Sequence, residues 1–181
     1  MEIYLLVGLE GSILACSTHE LEPAENQTVA KIDIGENHSL FEDFQDYKYI
    51  NQELVYNSQK GLERAKNNKM EELQKKCQET IEAGFSYNYN DIEYWFSLDA
   101  EAQSNFISTY QIMRDGLITE VPWTVKVNNE YSRLIINVEM MKDISNLILL
   151  HKTNNIAKFR DILSPIVESA STVEEVESIT W

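Results

Sequence analysis

Basic residues are scarce in this chain. Lysine and arginine number 15 against 30 aspartates and glutamates, a formal charge of −15 at neutral pH. A surface that tracks phosphates needs clustered Lys and Arg, so nucleic acid is not an expected partner. The deficit is uneven: residues 1–57 carry 11 acids and 2 bases, residues 58–83 carry 5 and 6, and residues 84–181 carry 14 and 7. Only the middle segment escapes the acidic bias. Cysteine is rarer still. Cys16 and Cys77 fall in what read as different modules, so a bridge between them is not expected and a reducing compartment is. Each reads as a small buried or half-buried residue, not a reactive thiol. No apolar run approaches the roughly 20 residues that span a bilayer. The run Ile3 to Val7 is too short for a signal peptide and lacks its basic start. The expectation is a soluble, unexported protein without a membrane partner.

Catalytic patterns are missing as well. Gly8 and Gly11 have neither the spacing nor the following Lys of a phosphate loop. His19, His38 and His151 are far apart, none with a His or Cys at the third or fourth following position, so no metal is expected. The acidic pairs Glu42-Asp43, Glu71-Glu72 and Glu174-Glu175 read as solvated faces, since acid–base work needs a cleft and shifted pKa values. No motif sets a base beside a Ser or Cys. The expectation is a protein that is not an enzyme and carries no cofactor.

What is present reads as an α+β chain in three parts: a small β-rich module over 1–57, a linking amphipathic helix over 58–83, and an α+β domain over 84–181. In the first, 2–7 and 12–17 are short apolar runs joined by a glycine turn, and 28–34 alternates as a half-exposed strand. Leu40, Phe41 and Phe44 suit one helical turn, and 47–56 a hairpin about Asn51-Gln52. From Asn57 to Ala83 the apolar residues Leu62, Ala65, Met70, Leu73, Cys77 and Ile81 recur at helical spacings. This thin stripe fits either packing on the chain's own domain or an intermolecular coiled coil, although Lys66 and Lys69 interrupt strict heptads.

Gly84 sits where a glycine would stop that helix in a left-handed conformation. Phe85, Tyr87 and Tyr89, then Asn90-Asp91, then Glu93 to Ser97 predict an aromatic hairpin. Asp99 caps a helix through Ala102, Phe106, Tyr110 and Met113, closed by Asp115-Gly116. Residues 123–127 and 131–136 flank Asn128-Asn129-Glu130 as a second hairpin. A helix from Met140 to His151 ends before Asn154-Asn155, another runs over 156–170 with Pro165 placed to kink it or to start a new piece, and Thr172 with Glu175 has capping-box spacing.

The order Ile81-Glu82-Ala83-Gly84-Phe85, Tyr94-Trp95-Phe96-Ser97-Leu98-Asp99, Gln103 with Asn105, Val121-Pro122-Trp123, and Thr172 to Val176 resembles a C-terminal domain of unknown biochemical function. That domain recurs in small tail proteins of bacteriophages and prophages of Gram-positive hosts. The resemblance covers about residues 71–181. The first fifty-odd residues are similar to the small β modules that begin tail-fibre assembly proteins. The resemblance implies a structural component of a phage tail, at baseplate or fibre, made in the host cytoplasm and located in the virion. Its implied partners are other tail proteins or further copies of itself. A tail-fibre assembly chaperone is the alternative, and a cell-wall enzyme a third class that the missing motifs disfavour. For such a role the expected anchors are Tyr94, Trp95 and Trp123, with Leu62, Met70 and Leu73 on the helix, since Tyr and Trp dominate interface energetics. Each aromatic ring also fits the core of a sheet. Adjacent strand residues point opposite ways, so Tyr94 and Phe96 cannot both share the core with Trp95.

Overall fold

Three pairs of polar residues set the strand pairing. Asn51-Gln52 (φ 53° and 68°), Asn90-Asp91 (51° and 60°) and Asn128-Asn129 (51° and 67°) all lie in the left-handed region. Positive φ at both central positions defines the two-residue turn whose twist matches paired strands, and short polar side chains tolerate it. The computed structural model describes residues 1–35, 40 and 43–181. Its fold is α+β: strands gather at the N-terminal end, and a sheet with helices follows.

The chain forms two compact units, Met1–Asn67 with Ser171–Glu174, and Asn68–Ala170 with Glu175–Trp181. In the first, β1 (Glu2–Val7), β2 (Ile13–Ser17) and β3 (Thr28–Asp33) form an antiparallel sheet in the order β2-β1-β3, and β4 (Tyr47–Ile50) pairs with β5 (Glu53–Tyr56). Ile3, Leu5, Val7, Ile13 and Leu40 are its buried core, and Ala30 and Ile32 of β3 pack on it with Ile34 just beyond the strand. Of the expected turn, Phe44–Asp46 is a 3-10 turn; Phe41 lies outside the described residues, as do His38 and Glu42. Asp46 is buried and is held by the Arg64 guanidinium, which also pairs with Asp43.

Helix α1 (Ser58–Ala83) matches the predicted span, but the division between units falls inside it, at 67/68. Its second half is not a free linker. Cys77 and Ile81 belong to the main core of the second unit, and Leu73 to a smaller cluster with Leu163, Val167 and Ile179. The stripe therefore packs on its own chain. Gly84 ends the helix at φ 109°, and a Cβ there would run into the Phe96 carbonyl oxygen.

The second unit holds an antiparallel sheet in the order β6-β7-β8-β9, from β6 (Phe85–Tyr89), β7 (Ile92–Phe96), β8 (Glu120–Val127) and β9 (Glu130–Asn137). β8 begins earlier than expected and contains Pro122. The Asn128-Asn129 turn makes Val127 and Glu130 a hydrogen-bonded pair, so by alternation Pro122 directs its missing N–H towards β7. There β8 pairs only at Trp95–Lys126, and no ladder bond is lost.

Helices α2 (Ala100–Arg114) and α3 (Val138–Ala157) supply Phe106, Met113, Met140, Met141 and Ile144 to the core beside the sheet. Asp99 Oδ1 accepts the Ala102 N–H at 2.9 Å, the predicted cap, and Asn137 Oδ1 accepts the Met140 N–H at 2.9 Å. The expected stop before Asn154-Asn155 is overturned. The helix runs through both, with Asn155 Nδ2 donating to the His151 carbonyl at 2.8 Å. A π-helical stretch, Lys158–Leu163, then leads into α4 (Ser164–Ser169), and α5 (Val173–Glu177) follows. Pro165 has no N–H and its ring crowds the carbonyl four residues back, so the turn before it widens. The Ser164 N–H and hydroxyl both donate to the Phe159 carbonyl.

Candidate functional site

Alternation along β6 to β9 divides the aromatic residues between two faces. Phe85, Tyr87 and Phe96 are buried against the helices, and Tyr94 packs beside them half-buried. Trp95 takes the opposite face and remains 38% exposed. The expected split of Tyr94 and Phe96 from Trp95 is therefore present. Registers Ser86–Trp95, Trp95–Lys126 and Lys126–Tyr131 place these four in one row across the outer face. Tyr131 is 77% exposed, and Lys126 Nζ lies 5.3 Å from its ring centroid. Ser86, Glu93, Trp95, Lys126, Asn128 and Asn129 line a shallow depression of about 280 Å³.

The other expected anchors divide. Trp123 stacks on Phe106 and packs against the core, so its ring is largely committed to the fold. Leu73 is fully buried, which removes it as an interface residue: the helical spacing revealed a stripe but not what the stripe faces. Met70 is half-buried against the Leu73 cluster, and Leu62 is half-buried in the first unit. Of the six, Trp95 alone is substantially exposed. Tyr131 and Ile135, 52% exposed, are surface residues that were not expected. The signal for them was alternation: Tyr131 and Ile135 share a face with Arg133, opposite Leu134 and Ile136. The alignment of Tyr131 with Trp95 is a tertiary fact, because α2 separates the two hairpins in sequence.

A larger groove of about 730 Å³ is lined by Cys77, Ile81, Ile156 and Phe159 with polar residues from α1, α2 and α3. Gln103 bridges two of its walls. Its Nε2 donates to the Leu98 carbonyl at 2.9 Å, and its Oε1 accepts from Lys152 Nζ at 2.8 Å. His151 Nε2 lies 3.2 Å from the Thr80 carbonyl and 3.3 Å from that of Ile81, in the last turn of α1. Burial pushes the Cys77 thiol above its ordinary value, which leaves it a poor nucleophile. Among the described residues, no three His, Cys, Asp or Glu gather where they could hold a metal ion, and no helix is long and apolar enough to cross a membrane. These surfaces are equipped to bind by packing, stacking and hydrogen bonding.

Residues 64–180, more than half of the chain, match a family described as a domain of unknown function (DUF4376). The chain belongs to that family. No curated protein and no solved structure matches this chain.

Proposed function

We propose that this protein is a non-enzymatic structural component of a bacteriophage or phage-like tail, at the baseplate or fibre, and that it works by protein–protein packing. The observation that carries the packing mode is the outer face of the β6 to β9 sheet, where Trp95 and Tyr131 stand on rigid strands with Lys126 between them. Large aromatic side chains on regular structure lose little entropy on contact and are favoured anchors of interfaces. The tail assignment itself rests on the order of motifs over residues 71–181 that resembles phage tail proteins. The acidic surface supports protein over nucleic-acid partners. Purified particles analysed by peptide mass spectrometry test the role. Stoichiometric presence supports it; absence from the particle, with a requirement during infection, would make the protein an assembly chaperone instead.

A further inference from the structure

The turn at Asn128-Asn129 also determines which backbone groups of β9 are used. Val127 and Glu130 close it as a hydrogen-bonded pair, so Glu130, Ser132, Leu134 and Ile136 bond to β8. Tyr131, Arg133 and Ile135 direct their N–H and C=O groups away from the sheet. β9 is the last strand in the order β6-β7-β8-β9, so among the described residues these groups form an open edge. Six of its eight residues, Glu130 to Arg133 with Ile135 and Asn137, are exposed.

Such edges are usually blocked, because they template pairing with another strand. β9 has no proline and no register break against β8, and its one cation is Arg133.

We propose that β9 pairs antiparallel with β9 of a second copy of this chain, about a two-fold axis at Leu134, and joins two four-stranded sheets into one. A second copy satisfies both parity and charge. A two-fold axis normal to the sheet keeps the core faces on one side only if each residue meets one of like parity, which also brings the outward N–H and C=O groups together. Two registers are then central. Centred on Arg133, the pairing sets two guanidinium groups directly opposite, an unfavourable arrangement. Centred on Leu134, it sets Arg133 against Ile135, Tyr131 against Asn137, and Leu134 against its own copy on the core side. No like charges are opposed, and the exposed Ile135 side chain is covered. A single seam of this length falls below the area of a standard stable interface, so the dimer is weak and concentration-dependent. The proposal does not depend on the tail role.

Sedimentation velocity on the full chain, from micromolar to near-millimolar protein at fixed salt, tests it. Wild type is expected to shift from monomer to dimer with concentration. Ile135→Lys puts lysine opposite Arg133 at two symmetric places and is expected to raise the dissociation constant about tenfold. Adding Arg133→Glu to Ile135→Lys recreates an opposite-charge pair and is expected to restore association. Both positions are exposed, and unchanged thermal melting confirms that the variants fold. A chain monomeric throughout the range, a dimer indifferent to Ile135→Lys, or a double variant that fails to recover would each overturn the proposal.

Discussion

Trp123 lies nearly parallel to Phe106, with ring centroids 4.3 Å apart and planes inclined by 20°. This contact joins β8 to α2 and makes Trp123 part of the core, whereas Trp95 faces solvent. Trp123→Ala is expected to cost about 3 kcal/mol of stability, and Trp95→Ala about 1 kcal/mol or less. Urea unfolding of the two variants measures the difference, and equal losses would contradict the assignment of faces.

Gly84 stands at φ 109° with its missing Cβ facing the Phe96 carbonyl. Alanine there meets both a disfavoured backbone region and a main-chain atom that cannot move without shifting β7. Gly84→Ala is expected to destabilise by about 2 kcal/mol or more. Gly116, at φ 73° with open space around its Cβ position, serves as the control and is expected to lose about 1 kcal/mol.

Arg64→Ala would leave Asp46, 3% exposed, without its guanidinium. The expected loss is about 2 kcal/mol at neutral pH, less than the full penalty for a buried charge because Arg64 is itself partly exposed. Burial already raises the Asp46 carboxyl above its ordinary value, with Lys60 pulling the other way. A carboxyl raised by folding holds its proton to higher pH in the native state than in the unfolded one. Its contribution to stability therefore grows as pH falls through the folded value and is lost as pH rises through it. The gap between wild type and Arg64→Ala should narrow on acidification, as read by denaturant midpoints across pH; a gap that widens would refute this account.

Both thiols are raised by burial, but Cys77 is only 6% exposed while Cys16 is half-buried. A chromogenic disulfide reagent at mildly alkaline pH is expected to modify Cys16 first in the native protein and both at once in denaturant. Native Cys77 reacting faster would mean that the groove opens in solution.

The features legible in the sequence are those in which a local chemical preference and the global fold agree. Asn-Asn and Asn-Asp at positive φ, the glycine stop at Gly84 and the Asp99 cap each depend on one or two residues and their immediate backbone. Asn154-Asn155 misled because asparagine favours helix ends in isolation, while here Asn155 bonds back to the turn before it and packing carries the helix onward. Leu73 was visible as apolar and periodic, but periodicity does not name the surface it meets. The division at 67/68 was hidden because one uninterrupted helix crosses it. The Trp95–Lys126–Tyr131 row depends on pairing between hairpins far apart in sequence, which no local pattern encodes.

The π-helical stretch at Lys158–Leu163 bears on how the length of this chain can vary. A π turn is an α-helix that has taken in one additional residue while keeping the flanking faces aligned. Loss of a single residue elsewhere in α3 would rotate everything beyond it by about 100° and carry Leu163 and Val167 off their buried cluster. Loss of one residue within the π turn would instead relax it to ordinary helix and leave both faces in place. Relatives one residue shorter in this region can therefore share the same core, and insertions or deletions among them should concentrate in this turn.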